Sequence, residues 1–98
     1  MSSSFFPLSI HVVKGHSMQP HIKEGERVVV FRWAYAFTQP KVGDVVIFKG
    51  GDGKKYVKRI TAIAGKNEFI VKGDNRDDSK KLPALRIDQI VGKVIARY

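Results

Sequence analysis

The feature that most constrains how this chain folds is that its apolar residues come in short runs, each cut off by Gly, Pro or Asp. The runs span roughly residues 8–14, 27–33, 44–49, 55–63, 68–72 and 90–96. They are rich in Val, Ile and Phe and too short for ordinary helices, so they predict strands. A chain of 98 residues is the size of one ordinary domain, so these strands are expected to share one folding unit over 1–98, with 1–7 as a flexible arm or a trimmed anchor junction. Gly50-Gly51-Asp52-Gly53 lies between two runs, and glycine reaches positive φ at no steric cost, so it predicts an antiparallel hairpin. Helix is expected only as single turns, over 85–90 and over 18–23. Trp33, Tyr35, Phe37 and Pro40 read as a loop pinned to the core by aromatics, where a ring left exposed would mark a membrane or substrate contact. The expected fold class is mostly β, antiparallel, with little helix.

Composition removes several chemistries. Cysteine is absent, which excludes disulfides, thiolate metal sites and a cysteine nucleophile together. The histidines at 11, 16 and 21 lack a carboxylate-rich set beside them, so no metal and no cofactor is expected. The 18 basic and 9 acidic residues give a formal charge of +9, which favours polyanions, whether nucleic acid or an anionic membrane surface. The basic residues are dispersed, without the aromatic and Arg/Lys alternation of a single-strand binder, so no specific nucleic acid is expected. A non-enzymatic basic β-barrel that binds nucleic acid is the competing class. No window approaches the ~20 apolar residues of a membrane helix, and the opening residues lack the parts of a secretory signal, which leaves the compartment unknown.

Three segments could carry chemistry. In GHSMQP, residues 15–20, the chain breaks between two strand runs and presents Ser17 beside Met18, with Pro20 stiffening the exit. A lone serine needs a base. Adjacent His16 points away from it in extended chain and has no nearby acid to complete a triad. The better partner lies in the run 55–63. In period two, Tyr56, Lys58, Ile60 and Ala62 share one face, and Val57, Arg59, Thr61 and Ile63 the other. Lys58 thus falls in an apolar phase, where an amine loses water's support for its charge and can act as a base. A neutral lysine within reach of a serine can take its proton during attack and pass it to the leaving amine. The plainer alternative for Lys58 is a snorkelling lysine at a strand end. The third segment, VKGDNRDDS at 71–79, reads as a turn in which Asn and Asp cap their own backbones. Its functional reading is a buttress that aims Ser79 at Lys58.

In this order the pieces resemble the type I signal peptidase family of serine proteases, which shares its catalytic fold with the LexA-type self-cleaving repressors. GHSMQPHIKEGERVVV is similar to the family's Gly-x-Ser-Met-x-Pro nucleophile segment, and PKVGDVVIFK to its next strand motif. YVKRITAIAG is similar to its lysine segment, and GDNRDDS to its Gly-Asp-Asn-Arg-Asp-Asn-Ser segment. The resemblance implies a LexA/signal peptidase-like fold, Ser17 as nucleophile, Lys58 as general base, and Ser79 hydrogen-bonded to the lysine. It implies an oxyanion hole from the Ser17 N–H and a second donor at position 15. Here that is Gly15, so the donor would be a backbone amide in place of a hydroxyl found in some members. Met18, Pro20, Tyr56, Arg59, Gly73, Asp74, Asn75 and Arg76 would be supporting residues.

The chain also departs from that family. Lys81 and Pro83 stand where many members place a salt-bridged acid and arginine, which would shift the buttress onto Asp74 and Arg76. A short link replaces the extra domain that larger members insert before GDNRDDS, so the chain resembles a minimal catalytic core. Members usually carry a membrane anchor, act on the extracytoplasmic face, and cut exported precursors after small side chains. The implied partner is therefore a precursor bearing a signal or leader peptide. A second substrate reading is a dedicated maturation protease for one precursor, such as a nickel-type superoxide dismutase. A self-cleaving repressor fragment would need a cleavage loop and a helical DNA-binding domain, neither of which is visible in this sequence.

Overall fold

The computed structural model describes residues 6–77 and 81–98. Seven strands form: β1 (Leu8–Val12), β2 (Arg27–Phe31), β3 (Val45–Lys49), β4 (Lys55–Gly65), β5 (Glu68–Lys72), β6 (Leu85–Arg86) and β7 (Ile90–Arg97). One helical turn, α1 (Ala34–Phe37), follows β2, and a 3₁₀ turn (Ile87–Gln89) separates β6 from β7. The strands make a single antiparallel sheet in the order β1-β2-β7-β3-β4-β5-β6. The fold is mostly β with little helix, as the short runs predict.

All six expected strands are present, with shifted ends. β1 stops at Val12 because the chain then turns, with the Val13 N–H donating to the Glu26 carbonyl and the Gly25 N–H to the Val13 carbonyl. β4 runs two residues past Ile63, since its first part pairs with β3 and its second with β5. The Gly50–Gly53 hairpin joins β3 to β4 as predicted, with Gly53 at φ 82.

Three local expectations change. The turn over 85–90 is shorter, because Leu85 is drawn into the core and pairs as β6 with Phe69. Residues 18–23 form a hydrogen-bonded turn and not a helix: the Ile22 N–H reaches the Met18 carbonyl, but the next N–H, that of Lys23, goes to Glu26 Oε1. The aromatic segment contains α1. There Tyr35 packs on the core and donates to Asp44 Oδ2 at 2.7 Å, whereas Trp33 and Phe37 are exposed. Most of the arm expected over 1–7 lies outside the described residues.

The core is arranged about β3. Its apolar run Val45-Val46-Ile47-Phe48 is buried on both faces, which is why it reads as a continuous run and does not alternate. Val45 and Ile47 join Val13, Met18, Ile22, Val28 and Val30 in one cluster. Val46 and Phe48 join Ile60, Phe69, Val71 and Leu85 in the other. The first cluster seats the GHSMQP loop through Met18 and Ile22; the second backs the face of β4 that carries Lys58.

At Gly92 β7 lies against β2 with no room for a side chain. A Cβ there would lie 2.6 Å from the Phe31 carbonyl oxygen and 2.6 Å from Val30 Cγ1. Backbone cannot yield cheaply, so Gly92→Ala is expected to lower the unfolding free energy by about 1–3 kcal/mol. Urea denaturation checks this, and an unchanged midpoint at unchanged slope would contradict so close an approach.

Candidate active site

Lys58 is the fourth residue of β4, opposite Val46. It is 4% exposed, and among the described residues it is the one buried polar or charged side chain. A mid-strand lysine this enclosed is not snorkelling to water. On the same face, Ile60 is fully buried and Tyr56 is half-buried. The Tyr56 ring stacks on Phe48, centroids 5.8 Å apart, and its hydroxyl donates to Asp52 Oδ2. The stripe stops at Ile60 and does not reach Ala62, because pairing with β5 shifts register between them and leaves Ala62 exposed. No buried side-chain nitrogen or oxygen among the described residues lacks a hydrogen-bond partner.

Ser17 sits in the loop that leaves β1, held from below and from the side. Below, Met18 and Ile22, each 1% exposed, plug the loop into the first core cluster. Gly15 takes φ +85, a left-handed conformation that glycine adopts without strain. From the side comes the turn after β5. The Asn75 N–H donates to the Ser17 carbonyl, and Asn75 Nδ2 donates to the His16 carbonyl, both at 2.8 Å. Asn75 Oδ1 also accepts the Asp77 N–H, the self-capping that its place in a turn predicts.

That turn is tied back to the lysine strand. Arg59 Nε and Nη2 donate to the two Asp74 carboxylate oxygens at 2.9 and 2.7 Å, and Nη1 donates to the Gly43 carbonyl at 2.7 Å. The hydrogen bond from Arg59 outweighs burial and holds the Asp74 carboxyl below its ordinary range. A continuous path therefore runs from Lys58 through its neighbour Arg59, Asp74 and Asn75 to the backbone of Ser17.

Ser17 stands where two depressions meet. The smaller, about 390 Å³, is lined by Gly15, His16, Ser17, Tyr56, Lys58 and Asn75, among others, so Ser17 and Lys58 face one cleft. The larger, about 930 Å³, is a groove walled by Ile10, Val12, Val13, Met18, Ile47 and Val57. Two strand edges that pair with no further strand among the described residues border it: β1 ends the sheet, and β4 pairs with β5 only from Arg59 onward.

The remaining expected residues are placed as follows. The Gly15 N–H, expected as the second oxyanion donor, instead donates to Glu24 Oε2 at 2.9 Å, because the loop folds back on the turn before β2. The sequence reading missed Glu24, whose only signal is its place in that turn. His16 directs Nδ1 to Gln19 Nε2 at 2.8 Å and Nε2 towards Glu24 Oε1 at 3.6 Å, so its ring is committed away from Ser17. Gly73 is half-buried in the turn, and Pro20 is exposed after a cis peptide bond. Arg76 is exposed and makes no ion pair with a described residue, whereas Asp74 pairs with Arg59, another of the expected supporting residues. Lys81 and Pro83 line a separate hollow of about 660 Å³ behind Tyr56. Ser79 lies outside the described residues. Among those residues no group of three or more His, Asp or Glu could hold a metal ion.

The Arg59–Asp74 pair has a defined pH signature. A carboxyl whose folded pKa is depressed contributes stability above its unfolded value, near 3.8, and that contribution is lost as pH falls through the folded value. Asp74→Asn is expected to cost about 1–2 kcal/mol near neutral pH. The gap to wild type should narrow only below the ordinary carboxylate range. Urea unfolding of both proteins from neutral pH downward measures it, and a gap that stays constant into strong acid would contradict the assignment.

Comparison with known proteins places the chain in a family. A family model described as signal peptidase, peptidase S26, matches residues 1–67. Signal peptidase IB of Staphylococcus aureus strain N315 is 34% identical over 79 residues, covering 74% of this chain and 41% of that protein. Probable signal peptidase I-1 of Synechocystis sp. is 31% identical over 78 residues, covering 70% and 40%. The chain thus spans about two-fifths of the length of these relatives. The family match includes the Ser17 loop and the Lys58 strand, and the turn that joins them lies beyond it, after β5. On the extent of that match and the identity to these relatives, the chain belongs to the signal peptidase family, peptidase S26.

Proposed function

We propose that this chain is a serine endopeptidase that removes an N-terminal signal or leader peptide from a precursor, with Ser17 as nucleophile and Lys58 as general base. The observation that carries the reading is that Ser17 and the buried Lys58 face the same cleft. In the first step the Lys58 amine accepts the Ser17 hydroxyl proton as Oγ attacks the scissile carbonyl. The resulting ammonium gives that proton to the departing amine, leaving an acyl-serine. A water then attacks the ester, with Lys58 again taking the proton, and the released serine recovers it.

The surroundings fit those roles. Lys58 is flanked by Tyr56 and Ile60 on its own strand and by Val46 across the ladder, which keeps its proton exchange with Ser17 apart from bulk water. The developing oxyanion falls to the Ser17 N–H. Gly15 contributes only if its N–H exchanges Glu24 for the substrate oxygen. The substrate lies extended in the larger groove, where an added strand can bond to the open edges of β1 and β4. Small side chains suit the shallow apolar wall formed by Val13, Met18, Ile47 and Val57.

The test is cleavage of a precursor with an Ala-x-Ala site, with mass spectrometry to locate the cut. Ser17→Ala and Lys58→Met should each lower turnover by about 10³-fold or more while circular dichroism stays unchanged. Full activity in either variant would contradict the proposed pair.

A further inference from the structure

The larger groove has a charge pattern that its role as a strand site does not require. Its floor and walls are apolar, but exposed Lys14 on the Ser17 side and exposed Lys54 and Lys55 on the β4 side also line it, as does His11 of β1. No acidic side chain lines it among the described residues. Lys14 and Lys55 make no ion pair with a described residue. Asp52, beside Lys54, accepts the Tyr56 hydroxyl and the Lys54 N–H and feels the Lys54 charge, whereas Asp77 lines the smaller cleft with Lys14 without pairing to it.

The cationic field reaches the groove interior. Burial first, and then the charges of Lys55 and Arg32, hold the His11 imidazole below its ordinary range. Across the ladder Lys55 faces Lys49, so its own sheet neighbour adds to the field. An extended peptide advances about 3.3 Å per residue, and five consecutive residues, Ile10 to Lys14, line one side of the groove, so it takes four or five residues of substrate. A strand laid there brings its side chains between Lys14 and Lys55 and displaces water that screens them.

We propose that the precursor stretch held in this groove carries an acidic side chain, which Lys55 and Lys14 recognise. This rests on the peptidase reading and adds to it a substrate class: an acidic residue close to the scissile bond, in place of a neutral or basic one. The apolar wall selects small side chains near the cut, and the lysines select charge within the same four or five residues.

The test is a peptide series built on an Ala-x-Ala site, with Asp, Asn or Lys placed in turn at each of four positions on either side of the bond. At one or more positions the Asp peptide should have a kcat/KM about three- to tenfold above the Lys peptide at low salt, as exposed ion pairs allow, and the ratio should shrink at high salt. In Lys55→Glu, and independently in Lys14→Glu, the Asp-to-Lys ratio at that position should fall below its wild-type value. Equal cleavage of the Asp, Asn and Lys peptides at all positions, or a ratio untouched in both variants, would overturn the inference while leaving the peptidase intact. No cleavage of any peptide would overturn the peptidase reading and this inference with it.

Discussion

The burial of Lys58 is the constraint on which the rest of the structure depends. A lysine is rarely taken into a core unless its amine is partnered, since removing it from water is costly. Here the enclosure is made by β4 lying against β3, whose apolar run is buried on both faces. One core cluster backs the lysine face of β4 and the other seats the Ser17 loop, so β3 is the wall shared by both halves of the cleft.

Strand alternation then gives two adjacent residues opposite tasks. Lys58 points inward, and Arg59, one residue on, points outward to clasp Asp74. Asp74 precedes Asn75, which bonds the carbonyls of His16 and Ser17. The same period-two geometry thus buries the amine and anchors the loop that carries the hydroxyl. A shift of one residue in β4 would exchange the two side chains and lose both.

Much of this was legible in the sequence. The six short runs became strands, the Gly-rich hairpin formed, and the apolar phase of Lys58 translated directly into burial. What the sequence hid was long-range. Two-residue β6 exists only because Leu85 reaches Phe69 across the sheet, and no local pattern marks so short a pairing. Glu24 takes the Gly15 amide because two turns meet in space, nine residues apart in the chain. Arg59 and Asp74 are fifteen residues apart, and their charges alone did not single that pair out from the other basic and acidic residues nearby. Ser79, expected to orient the lysine, lies outside the described residues.

The groove beside Ser17 is built from the same elements, because the edges of β1 and β4 that border it belong to the strands leading to Ser17 and carrying Lys58. The central claim is that Lys58 activates Ser17, and covalent labelling tests it most directly. A peptidyl phosphonate ester ending in Ala should leave its adduct on Ser17, located by tandem mass spectrometry of the digested protein. Labelling should slow by about tenfold or more in Lys58→Met, since an unactivated hydroxyl is a weak nucleophile. An adduct on any other residue, or an unchanged labelling rate in Lys58→Met, would contradict the account.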